Sequence, residues 1–147
     1  MSLQDWINDH NIVPHKTSSG DIAELLSIVD REIADAENVV SADGCFFHAY
    51  QACFILCTIM LHASGFKAAR TNNHLTTIMV MPEILGDSKR KDAKYLDACR
   101  AKRNLGEYTR SGGVTQADAD ALLDFAINFR KDVVGWFKKN HPDLLNI

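Results

Sequence analysis

A chain of 147 residues, 46% hydrophobic and 24% charged, has one domain's worth of ordinary globular composition. That length buries roughly two thirds of the surface the unfolded chain exposes, so neither a metal nor a disulfide is required to hold it, and the composition does not indicate disorder. A net charge of −3 excludes a polycation, but the charge is unevenly spread: residues 1–45 hold two basic and nine acidic groups, and residues 87–110 hold eight basic and four acidic. An anionic partner would therefore be met locally.

Residues 2–10 predict a short helix with Leu3, Trp6 and Ile7 on one side, followed by a turn-rich linker from Asn11 to Gly20. Residues 1–17 then form an arm that closes as a lid or swaps onto a neighbour, and residues 18–140 form the bundle. Asp5, Trp6 and Asp9 stand where a secretory signal would place a cationic and then an apolar stretch, so a cytoplasmic location with free thiols is expected. Ser18 with Asp21 caps a first long helix, whose stripe Ile22, Leu25, Leu26, Val29, Ile33 and Ala36 runs to about Val40.

Ser41 or Asp43 can cap the second helix, the most apolar, with Phe46, Tyr50, Cys53, Phe54, Cys57, Met60 and Leu61 ending at Gly65. Its longest unbroken apolar run, Cys53 to Ala63, is about half what a bilayer crossing needs, so no membrane span is expected. Cys45, Cys53 and Cys57 share this helix with His48, but their surroundings of Phe46, Phe54, Leu56 and Met60 make them core thiols, and no metal or other cofactor is expected. His74 to Leu85 predicts a third helix that Pro82 should kink or end. A fourth runs from about Ser88 to Leu105 and ends near Gly106, before the loop Ser111-Gly112-Gly113. Thr115 with Asp118 caps the last helix, whose stripe Leu122, Phe125, Phe129, Val133, Trp136 and Phe137 stops before His141-Pro142. No segment alternates with period two over more than a few residues. The sum is one all-α domain, a four- to five-helix up-and-down bundle with short loops.

One segment of the fourth helix stacks functional side-chain types. Arg100, Asn104 and Tyr108 fall on one helix face, and Arg103 and Glu107 on the next. The apolar stripe running through Leu96 and Cys99 meets Arg103 where a core residue is due, a local inconsistency of the kind that marks sites. Arg103 reads either as a structural ion pair with Glu107 or a carboxylate of the first helix, or as an anion grip. Asn104 reads as a capping amide or a site residue, and Tyr108 as packing or as a stacking platform. Lys89, Arg90, Lys91 and Lys94 read as a solvated face or as steering for a phosphate backbone.

Three local features together resemble the HEPN superfamily of small helical proteins: Ala49-Tyr50-Gln51-Ala52, the Gly65-Phe66-Lys67 turn leading to His74, and Arg103-Asn104-Leu105-Gly106-Glu107-Tyr108. The family motif is an arginine, usually followed by a polar residue, with a histidine after four to six intervening positions. Here Tyr108 stands where that histidine belongs. Over roughly residues 20–140, the resemblance implies a symmetric homodimer with both arginine motifs facing a shared cleft. It also implies a metal-independent ribonuclease, often a toxin–antitoxin component paired with a small nucleotidyltransferase, or a relative that only binds RNA or a nucleotide. Tyrosine near pKa 10 makes a poor base where histidine near 6.5 serves, so retained binding with degenerate cleavage is expected. On that expectation Arg103, Asn104 and Tyr108 are the catalytic set, and Arg100, Lys102, Arg103 and Tyr108 hold the ligand. The rival expectation is a non-catalytic protein–protein interaction module or a structural dimer.

Overall fold

The computed structural model describes residues 2–70, 73–109 and 113–145, apart from the side chains of residues 104–109. Side-chain caps fix where the long helices begin. Ser18 Oγ accepts the Asp21 amide at 3.2 Å and opens α2 (Ser19–Asn38), and Ser41 Oγ accepts the Gly44 amide at 3.0 Å and opens α3 (Ala42–Ala63). The last helix, α6 (Gln116–Asn140), opens on a full capping box in which Thr115 and Asp118 each accept the other's backbone N–H. Thr115→Ala should lower stability by about 1 kcal/mol, read as a drop of a few degrees in the thermal midpoint.

Before these lies α1 (Leu3–Asn8), and between α3 and α6 lie α4 (Asn73–Leu85) and α5 (Arg90–Thr109). The helix α3 is the axis of an all-α bundle: α2 and α6 pack on it most extensively, and α4 and α5 close another side. Ala49, Tyr50, Cys53, Leu56 and Met60 of α3 meet Ile22 and Val29 of α2 and Leu122, Phe129 and Val133 of α6 in one core. Between α2 and α6 the Arg130 guanidinium donates to both carboxylate oxygens of Asp30, at 2.6 and 3.2 Å. Cys45, Cys53, Cys57 and Cys99 are all buried free thiols, as expected from their apolar neighbours. Burial holds each thiol above its ordinary pKa, to about 11 for Cys99.

Three features differ from the sequence expectation. Two three-residue strands, β1 (Ile12–Pro14) and β2 (Phe66–Ala68), pair antiparallel with Val13 opposite Lys67, and strands that short carry no readable alternation. Through them the N-terminal arm is fastened to its own chain: Leu3, Trp6 and Ile7 pack with Ile12, Leu61 and Val80 in a second, smaller apolar cluster. Pro82 does not end α4, which continues three residues past it to Leu85; a proline removes a single rung, here within one turn of the helix end. Gly106 does not end α5, whose backbone stays helical to Thr109, so the whole Arg103–Tyr108 segment lies on the helix.

The unbroken run Cys53 to Ala63 also understates α3. Among the described residues α3 is the one helix long and apolar enough to cross a membrane, with 22 residues and a mean hydropathy of 1.6. Most of that stretch, 61%, is buried inside the bundle, which accounts for its apolarity. It ends at Gly65, whose φ of +96° is the left-handed conformation that stops a helix without strain.

Where the arm meets the end of α3, the rings of His15 and His62 lie 4.2 Å apart. Burial first, then the charges of His15 and Lys67, lower the His62 pKa to about 4. An unfolded imidazole titrates near 6.5, so between there and about pH 4 the unfolded chain takes a proton that the folded one refuses. Stability present above pH 6.5 should therefore fall as pH drops toward 4. Discounted for partial solvent access, the loss is on the order of 1–2 kcal/mol, and His62→Gln should flatten the denaturation midpoint across that window.

Candidate functional site

The stripe of α5 that faces α3 runs Ala93, Leu96 and Cys99, all buried, and its next member is Arg103. The guanidinium is accommodated by aromatic faces in place of aliphatic ones: Arg103 Cζ lies 4.9 Å from the centroid of Phe47 and 5.3 Å from that of Tyr50, both on α3. An arginine held by its face keeps its N–H edge geometrically suited to a carboxylate or phosphate. Beside it opens a cavity of about 290 Å³ lined by Asp43, Gly44, Phe46, Phe47, Lys102, Arg103 and Val114. Two cations, two aromatic rings and a carboxylate thus share one concavity at the start of α3 and the end of α5.

Tyr50, under the guanidinium, is fully buried. Burial pushes its pKa well up against the opposing effects of Arg103 and Arg100, so the hydroxyl stays protonated. Its Oη lies 2.9 Å from His74 Nδ1. Which of the two atoms donates follows the imidazole tautomer, and in either sense the contact ties α3 to the first turn of α4. His74 in turn stacks on Phe54 at 3.9 Å with the rings 3° from parallel. An arginine, a phenol and an imidazole from α5, α3 and α4 therefore form one connected unit. This arrangement brings the Tyr50 and His74 segments, noted separately in the sequence, to the same place as Arg103.

The residues singled out in the sequence divide as follows. Arg103 and Lys102 line the cavity, and Lys102 Nζ also pairs with Asp118 at 3.0 Å, tying the rim to the first turn of α6. Arg100 does not line it; its Nε donates to Asp97 at 2.8 Å, one turn back on α5. Asn104 and Tyr108 belong to α5 by backbone, and their side chains lie outside the described residues. In the cationic run, Lys89 pairs with Asp132 and Asp92, and Arg90 with Glu83 and Asp87, so that half of it is neutralised within the fold.

Asp43, Phe46, Phe47 and Val114 were not picked out as site residues from the sequence. For Phe47 a signal exists: it sits off the apolar stripe of an otherwise buried helix and remains 37% exposed. Next to Phe47, whose ring it meets edge-on at 5.5 Å, His48 places Nδ1 2.7 Å from Glu32 Oε2, near Asp35, and pins α3 to α2. Comparison with protein-family models, curated proteins and solved structures finds no match for this chain.

Proposed function

We propose that this chain is a HEPN-like helical bundle that binds RNA or a nucleotide in the cavity beside Arg103, with cleavage degenerate or lost. The observation that carries the reading is the Arg103 guanidinium lying over Phe47 and Tyr50 at the edge of a 290 Å³ hollow. That volume is near the lower limit for small-molecule sites, the scale of one nucleotide and too small for a duplex. Phe46 and Phe47 offer apolar ring surface to a base, Asp43 an acceptor for its amino or imino hydrogens, and Lys102 with Arg103 the charge for a phosphate. Tyrosine in place of histidine at position 108 supports binding over efficient hydrolysis.

The resemblance extends this reading to a cytoplasmic homodimer with a nucleotidyltransferase-type partner, for which sedimentation of the purified chain is the first test. Titration of a fluorescent mononucleotide at several salt concentrations tests the site itself. Affinity should fall linearly in log salt with a slope of roughly −0.7 to −1.4, one or two phosphate contacts. A second reading, a protein-interaction surface, is favoured by the exposure of Val39, Val40 and Phe47 at the start of α3; Val40 is 99% exposed. It predicts no nucleotide binding at any salt concentration.

A further inference from the structure

Apart from the Arg103 cavity, the described residues bring one set of metal-ligating side chains together: Glu32 and Asp35 of α2 and His48 of α3, with one donor atom from each within 4.8 Å of the others. Glu32 and Asp35 stand three residues apart on one face of the last two turns of α2, and His48 comes to them from the second turn of α3. Its Nδ1 lies 2.7 Å from Glu32 Oε2, and its ring is set edge-on to Phe47. The Glu32 side chain is only 14% exposed, whereas Asp35 is open to solvent.

The charge here is unbalanced. Like charges three residues apart on a helix repel, and the carbonyl end of α2 adds a partial negative charge of its own. The first 45 residues, which supply both carboxylates, carry nine acidic and two basic groups. Against these stand the His48 imidazole and the Arg31 guanidinium, 3.8 Å from Glu32 Oε1 but 64% exposed and therefore screened. A small divalent cation between the three donors answers both carboxylates and the helix end at once.

The donor set selects the cation. One imidazole nitrogen and two carboxylate oxygens, with no thiolate, suit Zn²⁺ and its first-row neighbours, whose open sites take three protein ligands and a water. Bonds of about 2.0–2.2 Å place tetrahedral donors about 3.3–3.6 Å apart, so the His48–Glu32 contact opens by about 0.6–0.9 Å and the exposed Asp35 carboxylate swings in. The proton on the coordinating nitrogen gives way to the metal, passing to solvent or to the other ring nitrogen. The geometry points to a divalent first-row cation site, with Zn²⁺ as its type, in which Glu32, Asp35 and His48 join the end of α2 to the start of α3. It is independent of the nucleotide-binding reading, since none of the three lines the Arg103 cavity.

The test titrates the untagged full chain, reduced and stripped of metal, with Co²⁺ as an optical probe. One equivalent should bind with the visible bands of a low-coordinate site and without the intense thiolate-to-metal band that a cysteine site gives. Zn²⁺ should displace it, and Ca²⁺, which needs six to eight oxygens, should not. His48→Gln should lose the Co²⁺ bands altogether. Asp35→Asn decides the matter, because an exposed side chain can change without unfolding the bundle. It should weaken Co²⁺ at least about tenfold, the scale on which metal sites respond to loss of a supporting group. Undiminished affinity in Asp35→Asn, a thiolate band, displacement by Ca²⁺ as readily as by Zn²⁺, or no saturable uptake would overturn the site.

Discussion

Arg103→Ala should weaken nucleotide binding by ten- to one-hundredfold, the largest effect expected of any single change at the site. Hydrogen bonds to a charged group are worth about 1.5–3 kcal/mol, which is that range of affinity. The same substitution removes the stacking over Phe47 and Tyr50, worth about 0.5–2 kcal/mol of stability, so the variant should remain folded with a slightly lower thermal midpoint. Arg103→Lys separates charge from shape. An ammonium restores attraction but neither the planar fork nor the flat stack, and it should recover less than half of the lost binding free energy. Unaltered affinity in Arg103→Ala would make this residue part of the scaffold alone.

Tyr50→Ala should cost about 3–5 kcal/mol, the range expected for removing a large aromatic ring from the core. The ring is fully buried in the main core and is at once the base of the Arg103 stack and the hydrogen-bond partner of His74. At about 2–4 °C per kcal/mol the midpoint falls by some 6–20 °C. Tyr50→Phe keeps the ring and deletes only the hydroxyl. It should cost about 1 kcal/mol and remove the hydrogen-bond partner of His74 Nδ1, visible as a change in the His74 ring ¹⁵N shifts. A Tyr50→Phe protein with unchanged His74 shifts would show that the 2.9 Å contact does not act on the imidazole.

Much of the bundle was legible because its signals are local. Ser18, Ser41 and Thr115 each mark a helix start through a hydroxyl three residues before the amide it caps, and the stripes of α2 and α6 repeat without interruption. The β1–β2 pair was not legible, since its register joins residues 12–14 to residues 66–68 and three residues carry no period. The end of α5 was misplaced because Gly106 is a frequent but not obligatory stop.

The site was half legible. Arg103 announces itself as a charge on an apolar stripe, a property of one helix. What receives it does not: Phe47 and Tyr50 stand more than fifty residues away, and only the packing of α5 on α3 brings them under the guanidinium. Arg100 has a partner that helical spacing also allows, Asp97 one turn earlier, which takes its guanidinium.

The most direct test of an anion-gripping cavity between α3 and α5 is a two-dimensional NMR titration of the labelled protein with adenosine 5′-monophosphate. Saturable shifts at the Arg103 side-chain N–H and at the Phe47 and Val114 amides, absent in Arg103→Ala, are predicted. A spectrum in which these resonances stay in place at millimolar nucleotide would contradict the account.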